Sequence, residues 1–143
     1  DKSYNKILKE KEKFGIKKLK TYKKFSKKIN EIKENVINNF EKLKKLNNTI
    51  VGYGAPAKAT TALNFFGISK EISYIVEDNK LKHNKFLPGV KIPIVSKKKI
   101  EGKKFPIVVL AWNYFDEIKK NNIKLKNKFI NIKNLEKKNF RNI

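Results

Sequence analysis

The stretch that most constrains this fold is residues 49–66, TIVGYGAPAKATTALNFF. Thr49 to Tyr53 is a short β-branched run of the kind that forms a buried parallel strand. Gly54-Ala55-Pro56 then turns the chain into a helix from about Pro56 to Phe66, and Gly67 stands where a helix C-terminal cap belongs. Gly52 and Gly54 permit a tight turn and a close approach of the backbone, while Pro56 presets the first helical dihedral. The helix-start amides then face outward, and Lys58 adds a cation one turn in, so the turn suits an anion, most naturally a diphosphate. Ala57 occupies the place of the third glycine in a dinucleotide fingerprint, a permitted alternative, and no Gly-Lys-Ser/Thr follows to make a P-loop.

The elements downstream alternate. Ile72 to Val76 reads as a second strand ending in the acids Glu77 and Asp78, which stand where an acid would hold a ribose hydroxyl or would cap a solvated loop. A polar loop, Asn79 to Lys85, leads through Leu87-Pro88-Gly89 to an extended segment, Ile92 to Val95, confined by Pro93 to an edge or a strand start. Ser96 is placed to cap a short helix ending at Ile100. Phe105 to Ala111 is the most apolar strand, and Trp112-Asn113 follows its C-terminal end, where ligands collect in open α/β sheets. A helix from about Tyr114 to Asn121 and a strand near Lys128 to Ile132 complete the series, with an irregular tail beyond. The fold class is therefore α/β, a Rossmann-like parallel sheet flanked by helices.

Ahead of it lies a long amphipathic helix. Ile16, Leu19, Tyr22, Phe25, Ile29, Ile32, Val36, Phe40, Leu43 and Leu46 fall at steps of three and four on one stripe. Tyr4, Ile7, Leu8 and Phe14 extend the helical character upstream, with Gly15 as an interruption. The expected division is a helical lead-in over 1–48 and a Rossmann-like domain over 49–143.

Composition removes several classes of function. With no cysteine and His83 as the one histidine, the chain has no thiolate nucleophile, no cysteine-ligated zinc and no set of histidines for a metal. His83 sits in the polar loop without a carboxylate at a recognisable spacing, which reads as an exposed side chain. No apolar run approaches the ~20 residues of a membrane span, and a cytoplasmic setting fits. The absence of methionine points to a piece of a longer chain. A net charge of +23 raises nucleic acid as a partner. Against that, Arg141 is the sole arginine, and the lysines run from Lys2 to Lys138 among many Asn and Ile residues. That pattern reads as A/T codon bias.

Three ordered blocks carry a family resemblance: GYGAPAKATTALNFFGI (residues 52–68), YIVEDNKLKHNKFLPGVKIPI (74–94) and VVLAWNYFDEI (108–118). On them the chain resembles the C-terminal domain of S-adenosylmethionine-dependent C-methyltransferases of nucleotide-linked deoxysugars. The resemblance implies that zinc and S-adenosylmethionine belong to upstream domains of the same polypeptide, and that this domain helps hold a nucleotide-diphosphate sugar. It also implies that the acid/base residues lie upstream, so no catalytic residue is assigned here. The expected substrate-binding set is Gly52, Tyr53, Gly54, Ala55, Pro56, Ala57 and Lys58, joined by Glu77, Asp78, Trp112 and Asn113. In the middle block the chain departs from the family's Asn-Pro-x-Lys-Gln-Gly, with Lys80 for the proline, His83 for the glutamine and Asn84 for the glycine. The competing expectation is a stand-alone module that binds a nucleotide or dinucleotide through the same turn.

Overall fold

The computed structural model describes residues 2–140. The chain forms two compact units, residues 1–34 and 35–143. The first holds helix α1, Lys2–Lys13, and the start of α2, Leu19–Leu46. Gly15, at φ +62°, breaks the helical run, as its place in the sequence predicts, and delays the start of α2 to Leu19. Along the first unit Tyr4, Phe14, Leu19, Tyr22 and Phe25 are exposed.

The second unit begins within α2 at Asn35, ahead of the sequence division at 48/49, and Val36, Asn39, Phe40 and Leu43 are buried there. The Asn39 side-chain amide donates to the carbonyls of Leu135 and Lys137, both at 2.9 Å, tying α2 to the segment that follows β5.

Five strands form one parallel sheet: β1 Val51–Tyr53, β2 Tyr74–Val76, β3 Ile94–Val95, β4 Pro106–Val109 and β5 Lys128–Asn131, in the order β3-β2-β1-β4-β5. Helix α3, Ala57–Phe66, links β1 to β2, and α4, Phe115–Asn121, links β4 to β5. Every residue of β1, β2 and β4 is buried, as a sheet covered on both faces requires. Alternation sends Val51, Tyr53, Tyr74, Val76, Ile107 and Val109 to one face, where Phe115, Ile118, Leu125 and Phe129 pack on them. Gly52 looks to the other face. A Cβ there would meet Ile75 Cγ1 and Leu110 Cδ1 at 3.0 Å, so this glycine makes room for packing within the sheet.

The element order matches the sequence expectation, with shorter strands. Phe105 to Ala111 contracts to Pro106–Val109, and Pro106 occupies the first strand position, where a missing amide costs no ladder bond. Pro93 similarly precedes β3 at the sheet edge, accepting from the Ile75 amide through its carbonyl at 2.9 Å. The polar tail folds further than its composition suggests: Ile132–Glu136 forms a 3-10 turn that buries Ile132 and Leu135. No helix of the described residues is long and apolar enough to cross a membrane.

Candidate functional site

In this strand order the chain leaves β1 in both directions, so the β1/β4 boundary is the topological switch point. Beyond the C-terminal ends of these strands the turn after β1 presses on the turn after β4. Gly54 adopts φ +85°, and a Cβ on it would lie 2.7 Å from Ala111 Cβ. Its amide donates to Val76 O at 2.8 Å and the Leu110 amide donates to Tyr53 O at 2.9 Å, which locks three strand ends together. Gly54, rather than Gly52, is thus the turn glycine. Pro56 caps α3 with backbone alone, and Gly67 closes it at φ +73° with its amide on Leu63 O at 2.9 Å.

Both acids at the end of β2 accept from protein donors, Glu77 half-buried and Asp78 exposed. Glu77 Oε2 accepts from the Ala55 amide at 2.8 Å and lies 3.4 Å from Lys82 Nζ, while Oε1 accepts from the Asn79 amide at 3.1 Å. Lys82 Nζ also donates to Ala55 O at 3.0 Å. Burial alone would raise the Glu77 pKa. The two amides and Lys82 outweigh it and hold the carboxyl below its ordinary value. Asp78 accepts from Tyr53 Oη at 2.8 and 3.0 Å, and Asn122 Nδ2 donates to the same phenol oxygen at 3.2 Å. Burial, then the bond to Asp78, raise the Tyr53 pKa.

These contacts bear on three of the expected site positions. Tyr53 does not point into the crevice; it is 1% exposed and anchors Asp78 from beneath. The Ala55 amide is not free, since Glu77 takes it. Glu77 and Asp78 accept from protein groups, the contacts that the loop-capping reading of this pair describes, and Asp78 stays exposed. Ala57 and Lys58 remain as the helix-start amides ahead of the first internal bonds, for Pro56 has none and Ala59 donates to Pro56 O at 2.9 Å.

The loop that departs from the family pattern keeps a workable geometry. Lys80 opens a 3-10 turn, Lys80–Lys82, capped by the Asn79 side chain on the Leu81 amide; this is a first-turn position where proline is equally at home. Asn84 sits at φ +59°, a conformation that glycine adopts freely and asparagine tolerates better than most residues. His83 Nε2–H donates to Glu77 O at 2.7 Å, a bond that a glutamine amide can also make. His83 therefore has a structural partner and is not simply exposed.

Across the boundary, Trp112–Tyr114 forms a 3-10 turn after β4, with Trp112 half-buried and Asn113 exposed. Lys58 Nζ stands 4.4 Å from the Trp112 ring centroid, so the cation of the first turn and the aromatic after β4 meet. A second lysine, absent from the sequence expectation, joins them: Lys133 Nζ, from the turn after β5, lies 5.6 Å from the same ring. The signal for it was the strand order, which sets β5 beside β4 and brings their following turns together. Elsewhere, a 490 Å³ groove lies between the loops that lead into β4 and β5, lined by Lys97, Lys103, Lys104, Lys124 and Lys126.

The fold is a parallel α/β domain flanked by helices, with Lys58, Trp112 and Lys133 meeting beyond the C-terminal ends of its strands. Residues 1–131 match the family described as the C-methyltransferase C-terminal domain, and the chain belongs to that family. Among curated proteins it is similar to the C-methyltransferase NovU of Streptomyces niveus, 41% identical over 73 residues. That alignment covers 49% of this chain and 17% of the relative.

Proposed function

We propose that this chain is the substrate-anchoring domain of a C-methyltransferase, gripping the diphosphate of a nucleotide-linked deoxysugar while a domain outside the chain carries out methyl transfer. The observation that supports it is the meeting of Gly54, the Ala57 and Lys58 amides, the Lys58 ammonium and Trp112-Asn113 at the switch point of a chain from this family. S-adenosylmethionine would supply the methyl group. Its site is proposed to lie outside this chain, since Glu77 and Asp78 already accept from Ala55, Asn79, Lys82 and Tyr53.

The domain's contribution is binding and orientation. Fixing the diphosphate at a distance from the reacting carbon restricts the sugar to productive placements, and binding energy from that non-reacting part lowers the barrier at the carbon. The protein donors already on Glu77 and Asp78 weigh against a dinucleotide module, whose ribose would compete with them. Titration of the purified chain with a thymidine-diphosphate sugar, NAD and S-adenosylmethionine tests the reading. Saturable binding of the sugar nucleotide alone is expected, and tight NAD binding without a response to the sugar nucleotide would refute it.

A further inference from the structure

We propose that Lys133 and Lys58 form a two-cation clamp across Trp112 that takes both phosphates of a nucleoside diphosphate and discriminates against monophosphates; this rests on the anchoring role given above. Lysine abundance says nothing here, since lysines occur throughout the chain. The convergence does. Lys58 comes from the turn after β1 and Lys133 from the turn after β5, and both ammoniums lie over the one tryptophan of the molecule, which follows the strand between them.

The backbone at Lys133 is fixed by the Asn131 side chain, which accepts from the Lys133 amide at 3.0 Å and caps its turn. Its ammonium is held only loosely: 5.6 Å is near the ~6 Å limit of a useful cation–π contact. The remaining partner is Glu136, 3.1 Å away with half of the lysine side chain exposed, and such surface pairs contribute little. Lys58 has no carboxylate partner among the described residues. Both ammoniums lie within 5.6 Å of one ring centroid and repel each other, and an anion that contacts both relieves that repulsion. A diphosphate offers each lysine its own phosphate, whereas a monophosphate leaves one cation unanswered. Glu136 is then a competitor for Lys133.

Because Trp112 is the sole tryptophan, its emission reports movement of either lysine. Wild type, Lys58→Ala, Lys133→Ala, Lys133→Arg and Glu136→Gln are titrated with thymidine diphosphate, thymidine monophosphate and inorganic diphosphate, by Trp112 emission and calorimetry. The clamp predicts at least a tenfold preference for the diphosphate over the monophosphate in wild type. Lys133→Ala should cost about tenfold for thymidine diphosphate and little for the monophosphate, Lys133→Arg should retain binding, and Glu136→Gln should tighten it severalfold. Unchanged diphosphate affinity in Lys133→Ala, with Lys58→Ala weakened, overturns the clamp and leaves the anchoring role standing. Inorganic diphosphate binding as tightly as the nucleotide supports the clamp and counts against the nucleotide-sugar reading. No binding of any of the three overturns both.

Discussion

Gly54→Ala is expected to be among the most damaging single-methyl changes in the second unit, and its magnitude follows from two separate costs. The first is conformational: a side chain at φ +85° costs about 1–2 kcal/mol in the left-handed region. The second is steric: the new Cβ would stand 2.7 Å from Ala111 Cβ, an atom fixed to backbone that cannot rotate aside, and relieving such overpacking costs about 1–3 kcal/mol. Together they give about 2–5 kcal/mol, a large share of the ~5–15 kcal/mol that stabilises an ordinary domain. Gly67→Ala is the control, because it shares the positive φ of +73° but has nothing within 4 Å of the new Cβ. Only the first cost applies there. Urea unfolding followed by Trp112 emission measures both variants, and the gap between them isolates the contact of the two turns. A Gly54→Ala/Ala111→Gly double variant should recover part of the loss, as a coupled pair must. If Gly54→Ala and Gly67→Ala fall within 0.5 kcal/mol of each other, a threshold near the limit of what ~1 kcal/mol effects allow, the two turns do not press together as described.

Three further changes probe the same end of the sheet. Glu77→Gln should cost about 1.5–3 kcal/mol at neutral pH by removing charged hydrogen bonds to Ala55 and Asn79. The folded carboxyl sits below its ordinary value of 4.5, so its contribution is present above that pH and is lost as pH falls through the folded value; the wild-type and variant curves should converge in acid unfolding. Tyr53→Phe should destabilise by about 1–3 kcal/mol, since Asp78 loses its hydroxyl donor and Asn122 Nδ2 keeps only Ile118 O of its two acceptors; thermal unfolding reads this directly. Lys58→Ala should lower sugar-nucleotide affinity about tenfold, which is ~1.4 kcal/mol, with the urea midpoint unchanged because the lysine is only half-buried and makes no ion pair among the described residues.

Local chemistry was readable from the sequence, and long-range partnership was not. The strand, glycine turn and helix of residues 49–67 appear where the β-branched run, Gly54, Pro56 and Gly67 put them, because those residues restrict their own dihedrals. Gly15 and Pro93 acted locally in the same way. The direction in which Glu77 points was open, because its choice between solvent and the Ala55 amide is made by a turn 22 residues away in sequence. The direction of Tyr53 was open for a related reason: alternation along β1 sends the side chain to the α4 face, where Asp78 and Asn122, distant in sequence, receive it. Lys133 could be found only once the strand order set β5 beside β4. The buried turn at Ile132–Glu136 was masked by the polar residues around Ile132 and Leu135.

The central claim is that the substrate is held at the β1/β4 switch point, and amide and indole chemical-shift mapping with a thymidine-diphosphate sugar tests it most directly. Shifts concentrated at Ala57, Lys58, Asn113 and the single Trp112 indole are expected. Shifts confined to the lysine-lined groove around residues 97–104 and 121–126, with the Trp112 indole unmoved, would contradict it.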